Sequence, residues 1–380
     1  MGGGWGHVLP FRAIAREFLR RGSSVSVLCC DARRAHQAFA GLDVAIEQSP
    51  AWKILKTGFS LNYAHCIWGN GYWDKERFRE QFAWWTGRLQ EHKPHFVLTD
   101  YSPTALLAAL SLDLPRGALG TGFTLPPDRS PMPGLHPWLS LPEKELARTE
   151  EMLVERVRGA VPTVDSVARM FRGAKRFLTI FPETDHYENR EGETFRGPIF
   201  ESGSDAGCDW PEGDGPRVFF YLSSANRCLP DLLDHLRTRG LPAVGYVRDL
   251  PEADRHKAES PTLRISPRPL DIFRATAQCG VAVTHGGYST TAQVLLMGVR
   301  MLVCPEQLEQ TIQAHRLNQQ GLCQFASFLG RPGGVREKFD LAAGSAELGR
   351  NAAAFAARHA GYDSSRTVSE IVGECLEAAA

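Results

Sequence analysis

Short apolar runs alternate with amphipathic stretches along almost the whole chain. Residues 25–30, 95–99, 176–181, 217–222, 281–284 and 301–304 read as short buried strands. The stretches between them carry a helical period. Phe11, Ile14 and Phe18 recur at three- and four-residue steps, Ala15 and Leu19 fill the same face, and Gly22 follows as a C-terminal cap. Strands separated by helices of this length are βαβ units, and their strands must run parallel because a tight hairpin cannot join them. The expected class is α/β.

The alternation breaks twice. Residues 52–85 hold five of the eight tryptophans, together with Tyr63, an Asn70-Gly71 turn signal and Tyr72, and show no clean period. Residues 183–216 are rich in Gly, Asp, Glu and Pro and make the best linker in the chain. The organisation expected is an N-terminal domain over 1–185, a linker over 186–216, a second domain over 217–362, and a C-terminal helix over 363–380 that packs back on the first domain. The chain opens on a glycine loop with no strand ahead of it, so the first strand of the N-terminal sheet is expected to be missing. Either the sheet manages without it or the recorded start is internal, and the second is the favoured reading.

Composition narrows the function classes. A length of 380 residues suggests about two domains, and 43% apolar residues supply enough core for both. Forty-three basic residues balance forty-three acidic ones, which removes the simplest case for nucleic-acid binding while leaving a local patch open. The longest apolar run, 105–112, is too short to span a bilayer. No basic segment followed by an apolar stretch opens the chain, so no secretory signal is visible and peripheral membrane contact stays open. The nine cysteines form no CxxC pair, which argues against a zinc ribbon or a redox dithiol and for reduced thiols in the cytoplasm.

Three stretches carry chemistry. Gly2-Gly3-Gly4-Trp5-Gly6-His7 runs toward a helix expected to begin near Phe11. Glycines there let a ligand approach the backbone, and a histidine titrating near neutral pH can take a proton from a hydroxyl. A surface histidine at a helix start is the plainer account of His7. A dinucleotide fingerprint fails, because Leu9 stands where the third glycine belongs. Asp100 ends the strand at 95–99; it is placed either to orient a histidine or to cap the next helix.

The third stretch, His285-Gly286-Gly287-Tyr288-Ser289-Thr290, follows a strand, turns on two glycines and enters a helix whose first turn bears hydroxyls. Backbone N–H groups, hydroxyls and the positive helix end together suit a pyrophosphate. His285 can add a contact to the phosphate, and Gln293 lies one helical turn on, in reach of a ribose. Glu309-Gln310 opens the next helix after Pro305.

Taken together, His-Gly-Gly-x-Ser-Thr, a leucine-rich helix, Gly298-Val299, a strand ending in Pro305, the acid–Gln pair and Ala314-x-Arg316 resemble the donor-binding signature of family-one, UDP-glycosyltransferase-like enzymes. The Gly6-His7-x-x-Pro10 helix start and Asp100 are similar to that family's N-terminal motifs. The resemblance implies a GT-B architecture: two facing Rossmann-like domains with parallel sheets and a cleft between them. It implies His7 as general base and Asp100 as its partner. Ser223, Ser224, Ser266, His285, Gly286, Gly287, Ser289, Thr290, Gln293, Glu309 and Gln310 fall on the family's donor-binding positions. The family needs no resident cofactor and no metal; the nucleotide diphosphate-sugar is a co-substrate. This chain departs from the pattern at Gln293, where the family has a ribose-binding Glu, at Glu309 in place of a shorter Asp, and at Ile265 in place of an aromatic that stacks on the base.

The tryptophan-rich stretch falls on the acceptor side of such a fold. Gly4, Trp68, Tyr72 and Trp73 are the candidate acceptor contacts, against the alternative that these rings pack the core. The run Glu183-Thr184-Asp185-His186-Tyr187-Glu188 has metal-ligand residue types but no matched partners. The expected activity is inverting transfer of a sugar from a nucleotide diphosphate-sugar to a hydroxyl of a small apolar or aromatic acceptor. A nucleotide-sugar epimerase on the same fold and a nucleotide-sugar-binding protein without turnover are the rivals. A dinucleotide oxidoreductase is more distant, because Asp31 is the only acid placed to anchor a ribose.

Overall fold

The computed structural model describes residues 5–52, 55, 59–188, 190–201, 208–326 and 334–380. It divides into two compact units, one made of Met1–Glu201 with Asp363–Ala380 and the other of Ser202–Tyr362. Every strand pairing in the sheets of both units is parallel.

In the first unit, β1 (Ser26–Cys29) pairs with β2 (Ala45–Gln48), and a separate sheet has the order β3 (Val97–Thr99), β4 (Arg116–Gly120), β5 (Lys175–Leu178). Among the described residues no strand joins β1 to β3. The helices α1 (Trp5–Arg20), α2 (Ala32–Ala38), α3 (Tyr63–Ile67), α4 (Lys75–His92), α5 (Pro103–Ser111) and α6 (Glu143–Arg158) connect and cover these strands. The C-terminal helix Ser364–Ala379 packs on α1. Its Val368, Ile371, Val372 and Cys375 share a core cluster with Ile14, Leu119 and Phe177, and Arg21 donates to the Ser369 carbonyl at 2.8 Å.

Helix α1 begins at Trp5, earlier than the sequence predicts, and carries Pro10 inside it. Gly6 and Pro10 read locally as loop residues. Val8, only 1% exposed, packs with Val27, Cys29 and Phe39, and this burial carries the helix back past them. His7 therefore stands in the first turn of α1 rather than in a loop ahead of it. Strand β4 is also hidden in the sequence, because Gly117 and Gly120 deplete it of strand formers. A Cβ on Gly117 would lie 3.0 Å from the Phe96 ring, and one on Gly120 would lie 2.1 Å from Thr124 Oγ1, so neighbours occupy the space a side chain would need.

The second unit is a single six-stranded sheet in the order β11 (Gln324–Phe325), β10 (Arg300–Val303), β9 (Val281–Thr284), β6 (Val218–Ser223), β7 (Ala243–Arg248), β8 (Leu263–Ser266). Its helices are α7 (Leu229–Thr238), α8 (Glu252–Ala258), α9 (Ile272–Thr276), α10 (Tyr288–Leu296), α11 (Leu308–Gln319), α12 (Val335–Gly344) and α13 (Ala346–Arg358). One face of the sheet presents Val218, Phe220, Leu222, Leu263, Val281 and Leu302 to Leu232 and Leu236 of α7 and Phe339 of α12. The strand order reverses beside β6, the position where open parallel sheets bind ligands.

Strand β7 crosses β6 too closely for a side chain at one register position. A Cβ on Gly245 would stand 2.2 Å from the Phe220 carbonyl oxygen, which the ladder holds in place. Gly245→Ala is expected to destabilise the second unit by about 1–3 kcal/mol, seen as a lower urea midpoint at unchanged slope.

Candidate functional site

In the first unit, β3 ends at Thr99 and delivers Asp100, 4% exposed, to its carboxyl end. The first turn of α1 brings His7 to the same place, with Nδ1 2.6 Å from Asp100 Oδ2. A carboxylate can only accept here, so Nδ1 carries the proton and the basic atom of the neutral ring is Nε2. The His7 side chain is 31% exposed and Asp100 5%, so a half-open imidazole is backed by a buried anion. Tyr101 follows Asp100, and its hydroxyl accepts from Asn70 Nδ2 at 2.7 Å. Sequence reasoning missed both Asn70 and Tyr101. Their partnership spans 31 positions and has no local signature.

The candidate acceptor residues differ in exposure. Gly4 lies outside the described residues. Tyr72 is 1% exposed, bonds Thr104 Oγ1 through its hydroxyl at 2.8 Å, and packs against Phe78. Trp68 is partly exposed with the Arg156 guanidinium over its ring, and Trp73 is partly exposed as well. Asp185, in the run with metal-ligand types, pairs with Arg190 at 2.7 Å in the interior. Among the described residues no group of three His, Cys, Asp or Glu is placed to hold a metal ion.

In the second unit the parallel register lines up the carboxyl ends of the strands. Ser223 pairs with Arg248, Tyr221 with Thr284, Thr284 with Val303, and Tyr246 with Ser266. The turn from β9 into α10 needs glycine at Gly286, and Gly287 lies close against the His285 ring. Gly286 adopts φ +83° with Val303 Cγ1 2.8 Å from where a Cβ would stand, and a Cβ on Gly287 would meet His285 Nε2 at 2.7 Å. Gly287 caps α10 without a side chain, which leaves the backbone N–H groups of the first turn facing outward beside Ser289 and the buried Thr290. Gln293 Nε2 donates back to Ser289, to both its carbonyl and its hydroxyl at 3.2 Å, so these two donor candidates meet directly.

His285 donates through Nδ1 to the Tyr221 carbonyl at 3.3 Å, and its ring leans on Tyr221, which stacks on Tyr246. Burial pushes the His285 pKa below its ordinary value, against an upward pull from the Glu306 carboxylate. Glu306 was not anticipated. Its Oε1 accepts from the Ser223 hydroxyl at 2.5 Å and from Asn226 Nδ2 at 3.1 Å, while Arg248 lies 3.7 Å from Oε2. Gln310 is buried and accepts from the Glu306 N–H at 2.7 Å, and Glu309 stands in the first turn of α11. Ser266 donates to the Arg268 carbonyl at 2.6 Å, and Ser224 is exposed. The only sequence signal for Glu306 was its place after the strand-ending Pro305.

No protein-family model matches the chain, and no curated protein sequence does. Solved structures match it along almost its whole length. The glycotransferase of kitacinnamycin is 15% identical at a TM-score of 0.70, covering 98% of this chain and 97% of that one. The calicheamicin glycosyltransferase CalG4 is 15% identical at 0.70, covering 99% and 96%. SsfS6 from Streptomyces sp. SF2575, solved with thymidine diphosphate, is 19% identical at 0.66, covering 97% of each chain. The chain has the GT-B fold of these glycosyltransferases. No described helix is long and apolar enough to cross a membrane.

The lowered pKa of His285 has a consequence for stability. The unfolded imidazole, near 6.5, binds protons that the folded one refuses, so this contribution is full above about pH 6.5 and is lost as pH falls toward the folded value. His65, His136 and His315 are shifted the same way by burial. The melting temperature is expected to drop between about pH 7 and 5, and His285→Gln to flatten that slope.

Proposed function

We propose that this chain is a glycosyltransferase, moving a sugar from a nucleotide diphosphate-sugar to a hydroxyl of a small acceptor with inversion at the anomeric carbon. The observation that carries the reading is the His7–Asp100 pair, a half-exposed imidazole whose Nδ1 is held 2.6 Å from a buried carboxylate. His7 Nε2 takes the proton of the acceptor hydroxyl as its oxygen bonds to the anomeric carbon. The bond from that carbon to the diphosphate breaks, and its electron pair leaves with the nucleotide. Asp100 holds the tautomer and offsets the positive charge that grows on the ring.

The second unit is read as the donor side. Backbone N–H groups at the start of α10, with the Ser289 and Thr290 hydroxyls and His285, face the charge developing on the departing diphosphate. Helix ends contribute ~0.3–2 kcal/mol to anion binding, so the hydrogen bonds carry most of the hold. These groups take the place of a divalent cation in the reading, which is therefore metal-independent. The thymidine diphosphate bound to SsfS6 makes that nucleotide the first probe. All nine cysteines are free thiols, which supports a cytoplasmic setting.

A thermal-shift titration with thymidine diphosphate, at about 100 times its Kd, is expected to add about 2.7 kcal/mol and raise the melting point by a few degrees, with the shift lost in His285→Ala. A flat response to every nucleoside diphosphate from a cooperatively melting protein would refute the donor site. In a transfer assay, His7→Ala is expected to lower kcat about 10²–10⁴-fold and Asp100→Asn to lower it less, with activity unchanged by EDTA. Full activity in His7→Ala would sink the mechanism. Turnover of donor without an acceptor would favour an epimerase, and nucleotide binding without turnover a binding protein.

A further inference from the structure

Tyr101 stands at φ +41°, in the left-handed region that a bulky L-residue rarely adopts. Such a conformation persists only where its surroundings over-determine it, and strain of this kind collects at functional sites. Two separate features hold Tyr101. The first is the 2.7 Å hydrogen bond its hydroxyl accepts from Asn70. Asn70 is itself fixed, because it lies in the kinked turn Trp68–Tyr72, where Gly71 adopts φ +117° and packs so closely on Trp52 that a Cβ would stand 2.1 Å from the ring. Tyr72, closing that turn, is tied to α5 through Thr104. The second feature is aromatic. The Tyr101 ring lies 13° from parallel to the His7 imidazole with centroids 6.2 Å apart, and Tyr63 approaches it at 6.4 Å.

We propose that Tyr101, anchored by Asn70, is a positioning residue that holds the His7 ring in the plane where Nδ1–H meets Asp100; this rests on His7 being the base. The left-handed turn after Asp100 is what makes it possible. Reversing the sign of φ would swing the Tyr101 side chain away from α1, and the imidazole would keep its carboxylate but lose the surface that sets its plane. The strain at Tyr101 then has a function, which a tether between two loops would not require.

The test uses the full chain with Asn70→Ala, Tyr101→Phe and the double variant, with thymidine diphosphate-glucose and 4-nitrophenol as probe substrates. Each single variant is expected to lose about tenfold in kcat at unchanged donor KM, and the double variant to lose no more than either, because one interaction is removed three ways. A second readout needs no turnover. Low-temperature proton NMR follows the downfield N–H of the His7–Asp100 bond, assigned by its loss in His7→Ala, and this signal is expected to broaden in all three variants. Unchanged kcat and an unchanged signal would overturn the proposal, as would additive losses that track the melting temperature, or a wild-type spectrum lacking the proton. A wild type that transfers nothing and shows no thermal shift with any nucleoside diphosphate, while its His7 proton still responds to both substitutions, would remove the glycosyltransferase reading and leave the positioning of the His7 ring standing.

Discussion

Parallel pairing is the constraint on which the rest of this structure depends. When every strand of a sheet runs the same way, all the carboxyl ends, and the helix starts that follow them, must collect at one edge. In the second unit this gathers Ser223, Arg248, His285 and Glu306 from four strands that are distant in sequence. In the first it places Asp100 at the end of β3, and the packing of α1 supplies His7 beside it. Neither site could be assembled from one local segment.

The charges at the second edge are balanced within the protein. Glu306 is satisfied by Ser223 and Asn226 and faced by Arg248, so the two formal charges offset one another. Burial favours the neutral form of His285. The partial positive charge there comes from backbone N–H groups at the start of α10, aimed by a turn that requires glycine at Gly286. On the proposed reading, an anion at this edge is held by directed hydrogen bonds more than by net charge, in keeping with a chain of zero formal charge.

Some of this was legible in the residues alone. Runs such as 281–284 and 217–222 announce themselves because strands buried on both faces are continuously apolar. The His285–Thr290 turn is equally plain, since two glycines after an apolar strand, followed by hydroxyls, mark a strand end passing into a helix start. Strand β4 was not legible, because the rings of Phe96 and Phe177 exclude side chains from Gly117 and so remove the very residues that mark a strand. The start of α1 was hidden for a related reason: Gly6 and Pro10 argue locally against a helix that Val8 stabilises by burial against β1 and α2. Tyr72 illustrates the opposite case, an aromatic expected to line an acceptor pocket that packs into the core instead.

By itself, then, the sequence determined the α/β class and the parallel sheets, and it singled out His7, Asp100 and the His285–Thr290 turn as candidates, because hydrophobic period and glycine placement are local properties of the chain. Tertiary structure alone decided which of those residues meet. The 2.6 Å approach of His7 to Asp100 spans 93 positions, Glu306 reaches Ser223 across 83, and Asn70 reaches the strained Tyr101 across 31. Contacts of that separation are set by strand order and helix packing, and no pattern within a turn or a strand encodes them.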